Sequence, residues 1–317
     1  MKSADRPKDG RTYATGGHIR NNLGIENPLP TTTELHDHTD QWNGLAYAAH
    51  VLPNEARLSV MAGVANDDFQ IPDRPSQSPV FLALGAIAPD SALLNEQQHE
   101  GNRYVVLAYE NASGGPVHYQ IALYDRSSEV HYLPDPIGDL VYTGAAGEFA
   151  RTNDRWGLQW DASAPTGSHT IRFGATYNDE RARSNAVTTV YPIDQSGQTV
   201  FVPTTLTDRT QTGARFWGGY VQDEWHPRDR WTVNLGTRFD VYDGFLRETQ
   251  LSPRLGVVVE LDGGTTLHAG YARYFTPPAT QKISVETVAL FVGTTGAPRR
   301  PVTMSFDQSA RIISTWG

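Results

Sequence analysis

The chain contains no cysteine, which removes disulfides, thiolate zinc sites and thiol nucleophiles from the chemistry open to it. It also lacks an apolar run long enough to cross a bilayer as a helix. The opening residues, "MKSADRPKDG", carry no apolar stretch of the kind a signal peptide needs, so none is expected on this chain. Positive charge is scarce: 26 Lys and Arg against 35 Asp and Glu leave a formal net charge of -9, and no surface dedicated to nucleic-acid phosphates is expected. If the chain meets a membrane, it must do so with strands.

What is present points the same way. The 317 residues include 29 Gly, 20 Pro, 14 Tyr and 7 Trp, a composition of strands, turns and aromatic surfaces rather than of helical bundles. The fold class expected is all-β. Residues 1–42 are rich in Thr, Asn, Pro and Gly without a sustained period, and read as an irregular, loop-like segment. Residues 43–275 hold the strands and their loops, and residues 276–317 read as an incomplete loop or tail.

Within the middle region, five pairs of alternating segments flank short polar turns. The turns fall near Leu52–Glu55, Ser113–Pro116, Ser163–Gly167, His226–Arg230 and Asp262–Gly264. Alternation is sharp in Leu58, Val60, Ala62 and Val64, in Tyr119, Ile121 and Leu123, in Trp156, Leu158 and Trp160, and in Trp231, Val233, Leu235, Phe239 and Val241. Residues 213–225 leave two faces open: Trp217, Val221 and Trp225 on one parity, Phe216 and Tyr220 on the other. The connections between hairpins are mostly far longer than the turns. Short turns on one side, long loops on the other and strands of about ten residues describe an antiparallel up-and-down meander of about ten strands forming part of a transmembrane β-barrel, with long extracellular loops. Trp225 and Trp231 then belong to an aromatic girdle at the membrane interface, with "HPRD" between them in water. The alternative is a soluble β-sandwich binding module, in which Val117, Ile121 and Leu123 pack on a second sheet.

The segments "YVQDEW", "VNLGTRFD", "LSPRLG" and "TTLHAGYARYFTPP", with "FQIPDRP", "VHYLPDPIGDLVYTG" and "ERARSNAVTTVYPID" before them, resemble the barrel of TonB-dependent outer-membrane receptors. The resemblance runs from about Asn43 to Thr295. It implies a barrel of about 22 strands closed by an N-terminal plug, importing a scarce small-molecule ligand, often a metal chelate. Outer-membrane lipid is then a partner, and the TonB complex a partner of the full-length parent only. The chain departs from that plan in strand number, in lacking a plug and a signal peptide, and in its ending "IISTWG", so a barrel fragment is expected.

Chemistry-bearing clusters are few. In "ELHDHTD", His36 and His38 lie two apart with Glu34, Asp37 and Asp40 nearby, but a metal site needs a third ligand and a supporting shell, and a solvated loop is the reading adopted. Asp223 and Glu224 are adjacent on a strand, point to opposite faces and so form no catalytic dyad. No serine-centred nucleophile elbow occurs, and neither enzymatic activity nor a cofactor is expected. Arg155, Arg172, Arg238, Asp240, Arg254 and Glu260 fall on the wet face, where a water-filled lumen accepts them. Arg273 departs from this scheme by sharing parity with Leu267, Ala269 and Tyr271. No ligand-binding residue is singled out by the sequence.

Overall fold

The computed structural model describes residues 10–22, 36–111, 115–277 and 285–297. Eleven strands run in sequence order: β1 (Arg11–Asn21), β2 (Thr39–Val51), β3 (Arg57–Ile71), β4 (Glu96–Asn111), β5 (His118–Leu133), β6 (Ala145–Thr166), β7 (His169–Val190), β8 (Thr204–Arg228), β9 (Trp231–Asp243), β10 (Arg247–Glu260) and β11 (Thr266–Ala272). All pair antiparallel with their sequence neighbours in one sheet of order β1 to β11. Two short helices, α1 (Gly138–Tyr142) and α2 (Val285–Leu290), and a 3-10 turn at Ser91–Leu93 complete the described elements. Among the described residues the sheet is not closed: β1 and β11 each have a neighbour on one side only.

The register shows why these sequences form strands. One row of paired residues reads Tyr109, Ile121, Trp160, Ala175, Gly219, Phe239, Leu251 across seven strands. The next row, one residue along, reads Glu110, Gln120, Asp161, Gly174, Tyr220, Arg238, Ser252. Because side chains alternate between faces, each hairpin adds to the same apolar and the same polar surface. The lower turns are staggered: β6 continues past its last pair with β5 to Thr166, and β8 past its last pair with β7 to Arg228. Such a shear accompanies strand tilt in barrels.

The structure settles the two-way reading of residues 213–225. Trp217 pairs with Tyr177 and Val241, and Val221 with Phe173 and Thr237, so that parity joins the apolar face while Phe216 and Tyr220 join the polar one. The misfit, Asp223, lies at the turn end, where its Oδ2 meets His169 Nδ1 at 2.7 Å.

Several expectations are corrected. The meander of about ten strands is there with eleven; what changes is the segment read as irregular, residues 1–42, which contains β1. In "RTYATGGHIRN" the apolar-face positions Thr12, Ala14 and Gly16 are too small to contrast with the other parity. Strands extend well beyond ten residues, to 22 in β6 and β7 and 25 in β8. Their outer ends are polar on both faces, so the ladder continues where hydrophobic alternation stops. Accordingly much of the chain between residues 66–101, 126–151 and 179–212, expected as long connections, is strand. The tail contains α2 and the docked residues 291–297. Among the described residues the sandwich finds no second sheet: Ile121 and Leu123 are exposed, and Trp217 is 56% exposed.

An apolar face of this extent, uncovered by any layer of the described chain, drives association in water. The chain is expected to self-associate without amphiphile and to become monodisperse with β-structure in detergent. Sedimentation with and without detergent checks this; a detergent-free monomer with a cooperative melt would contradict it.

Candidate functional site

The polar face is a wall of paired charges and amides. Arg238 Nε donates to Asp240 Oδ1 at 2.7 Å, and Asp240 is only 2% exposed. The pair fits because position 218 is glycine: a Cβ there would come within 3 Å of Arg238 Nη2 and of Asp240 Oδ1. Tyr220 donates its hydroxyl to Asp161 Oδ1 at 2.8 Å, Arg172 Nη1 meets Glu224 Oε2 at 3.0 Å, and Asn153 Nδ2 donates to Glu180 Oε1 at 2.8 Å. Asn178, buried, sits between the Tyr124 hydroxyl and Arg155, whose Nη2 donates to the amide oxygen at 2.9 Å. The Arg254 guanidinium lies 5.4 Å from the centre of the Tyr274 ring.

Register therefore puts Arg155, Arg172, Arg238, Asp240, Arg254 and Glu260 on one face, without gathering them into one cluster. Arg238 and Asp240 touch, Arg155 belongs to the Asn178 group, Arg172 pairs with Glu224, and Glu260 stands apart at the turn end of β10. Trp225 and Trp231 lie at the turn ends of β8 and β9 on the apolar face, Trp225 stacked on His169 with ring centres 5.7 Å apart. Arg273 follows the last residue of β11, where its N–H donates to the Pro253 carbonyl at 3.1 Å.

The histidine cluster is dispersed. His38 Nδ1 meets Asn22 Oδ1 at 2.8 Å, Asp40 is paired with His18 at 2.8 Å, and Glu34 lies outside the described residues. Among the described residues no group of three His, Cys, Asp or Glu side chains is arranged to hold a metal ion.

At the end opposite the short turns, the loops pack into a crown that sequence reasoning did not find. Residues 72–95, the segment around α1, residues 191–203 and residues 291–297 interlock. The N–H groups of Val80 and Phe81 donate to the Val141 carbonyl at 3.0 and 2.9 Å, and Tyr142 gives its hydroxyl to the Pro89 carbonyl at 2.5 Å. Thr295 N–H donates to Tyr191 O at 2.9 Å, and its hydroxyl donates to Gly144 O. Leu94, Leu140, Val141 and Val190 are buried there. Gly138 is required by this packing, since a Cβ would strike Leu94 Cδ2.

Beneath the crown, at the first residue of β4, Glu96 is 3% exposed and no N–H among the described residues donates to its Oε2. It faces the carboxyls of Asp73, from the β3–β4 loop, and Asp139, from α1. Burial, then these two carboxyls, pushes Glu96 up to about 9; burial likewise raises Asp139 to about 6. Burial and the same acidic groups raise Tyr132 as well. At neutral pH one proton therefore stays on Glu96 and is shared as a hydrogen bond across two loops.

Comparison with known proteins identifies what such a wall and crown belong to. The one-layered, staggered meander with an uncovered apolar face is a section of a β-barrel wall. The family model described as TonB dependent receptor-like, beta-barrel matches residues 64–300, and the chain belongs to that family. Over 82 residues the chain is 35% identical to the TonB-dependent transporter Oar of Myxococcus xanthus, covering 23% of this chain and 8% of that protein. In fold it is similar to the siderophore receptor PiuA from Acinetobacter baumannii, with a TM-score of 0.58 and 12% identity over 85% of this chain and 46% of that one. It is also similar to the pyoverdine outer-membrane receptor FpvA from Pseudomonas aeruginosa, with a TM-score of 0.58 and 15% identity over 85% of this chain and 42% of that one. The chain thus spans less than half the length of these solved receptors.

Two outcomes follow from the wall and the crown. Asp240→Ala, which strands the half-buried Arg238 guanidinium, is expected to cost about 2–3 kcal/mol in detergent unfolding, while Arg238→Met with Asp240→Leu recovers most of the loss; equal losses for both would contradict the pairing. For Glu96 the folded crown binds a proton that an opened crown releases above its ordinary 4.5, so the stabilisation is complete below that pH and is lost as pH rises toward about 9. Hydrogen-exchange protection of residues 72–95 and 134–144 should fall across that window, whereas Glu96→Gln flattens the dependence; identical slopes would rule the shared proton out.

Proposed function

We propose that this chain forms part of the barrel of an outer-membrane receptor whose parent protein binds and imports a small scarce ligand, a metal chelate being the class favoured. Arg155, Arg172, Arg238, Asp240, Arg254 and Glu260 face the lumen, and Trp225 and Trp231 lie at the periplasmic interface. The crown of loops stands on the extracellular side, where ligand arrives. Energy comes to the parent from the TonB complex.

The observation that carries this reading is the spacing of aromatics on the uncovered face. Trp225 and Trp217 on β8 are eight residues apart, about 26 Å along the strand. At a tilt of about 40° that length rises about 20 Å, most of an apolar band about 25 Å tall, with amphipathic rings toward both edges. The polar wall behind supplies guanidinium, carboxylate and amide groups to a water-filled path, and the open sheet leaves the rest of the lumen to the parent. The names of solved relatives support the ligand class: PiuA is a siderophore receptor, and FpvA was solved bound to pyoverdine.

Fractionation of the full-length parent should place it in the outer membrane with heat-modifiable migration, and its deletion should reduce uptake of a chelated metal at limiting supply. A soluble periplasmic parent, or uptake of metal chelates unchanged by deletion, would overturn the location or the ligand class respectively.

A further inference from the structure

On the apolar face, the row Trp160, Ala175, Gly219, Phe239 sets two small residues between two large ones. The next row toward the crown brings Tyr177 beside Trp217, ring centres 5.9 Å apart and edge to face. Together they enclose an almost wholly apolar groove of about 510 Å³ that opens away from the polar wall. Its floor is not forced to be small: a Cβ on Gly219 would meet nothing closer than the Gly174 carbonyl at 3.8 Å. The groove is therefore a feature of sequence choice rather than of backbone crowding.

Directly above it, four arginines occupy the same face of β7 and β8. Arg215 pairs in register with Asp179, Arg181 with Gly213, Arg183 with Gln211, and Arg209 with Asn185, so they form a zigzag of diagonal neighbours. Three carboxylates share the area. Asp243 pairs in register with Arg215, and Asp154 Oδ2 receives Arg183 Nη1 at 3.1 Å. Asp179, 13% exposed, lies beneath two guanidiniums, meeting Arg215 Nε at 3.3 Å and Arg181 Nε at 3.5 Å. The arginines are outermost, with side chains 63% and 62% exposed at positions 215 and 181. Arg215 Nε donates to Asp179 Oδ2 and Arg181 Nε lies at ion-pair distance from Oδ1, so both guanidiniums meet the carboxylate through Nε and their exposed Nη ends are turned toward a further acceptor. Paired guanidinium donors match the oxygens of a phosphate.

We infer that Arg181 and Arg215 with the Ala175–Gly219 groove form a binding site for one phosphorylated acyl lipid of the surrounding leaflet, the phosphate on the guanidiniums and an acyl chain in the groove. This rests on the membrane reading of the apolar face. The four-residue step from Ala175 to Asp179, about 13 Å along the strand, places phosphate and chain at the separation of a headgroup from its upper methylenes. Trp217 and Tyr177 stand at the boundary between the two parts.

Native mass spectrometry of the detergent-solubilised protein, with a diacyl phosphatidate and its matching diacylglycerol as probes, tests the site. Phosphatidate should be retained about tenfold more tightly, and R181Q with R215Q should abolish that preference. G219V, which fills the groove, should weaken retention of both lipids. Inorganic phosphate alone should displace neither. Displacement by inorganic phosphate with no effect of G219V would reduce the site to a free anion site and overturn the inference, as would equal retention of the two lipids. Heat-modifiable migration in the same preparation separates the cases: a folded, heat-modifiable protein that binds both lipids alike removes the lipid site and leaves the receptor reading standing, whereas a protein that never requires amphiphile removes both.

Discussion

The period of two along a strand governs this molecule. Because successive side chains must point to opposite faces, a register that places Phe239 beside Gly219 also places Arg238 beside Tyr220, and no local adjustment can move one without the other. Every strand is bound by that choice through its neighbour. The apolar surface and the charged surface behind it are two consequences of one alignment, and the backbone ladder that enforces it pairs the amide groups along each strand with those of its neighbours.

That constraint also explains how much was legible beforehand. Where large apolar residues alternate with polar ones, as in Trp231–Val241 or Trp156–Trp160, hairpins, faces and turns can be read directly. Where the apolar face is built from Thr12, Ala14 and Gly16, the same strand geometry leaves no contrast, and β1 is invisible. Past the apolar stretch both faces are rich in polar residues, so alternation ceases to report strands that continue to Val190 and from Thr204. The polar-face residues Arg155, Arg172, Arg238 and Asp240 could be assigned a side, but the partners of the first two could not. Arg238 and Asp240 meet each other on one strand, whereas Asn178 and Glu224 come from neighbouring strands and are chosen by register.

The crown was beyond reach for another reason. Its core joins Leu94 of the β3–β4 loop, Val141 of α1 and Val190 at the end of β7, and no periodicity marks such residues. Glu96 illustrates the difficulty: in sequence it is one glutamate in "NEQQHEGN", and only the approach of Asp73 and Asp139 from different loops makes it a proton-holding group. Long-range assembly, rather than local propensity, creates that chemistry.

The hydrogen bond from Thr295 to the carbonyl of Gly144 joins residues 151 apart in the chain. Gly144 stands just before β6, and Tyr191 and Pro192, which Thr295 and Thr294 also engage, stand just past the end of β7, so one short segment clasps the upper ends of two neighbouring strands. Those ends would otherwise be free to splay. The seating of residues 291–297 and the closure of the β6–β7 pair at its top are thereby made one mechanical variable: whatever lifts that segment takes a donor from both strand ends at once.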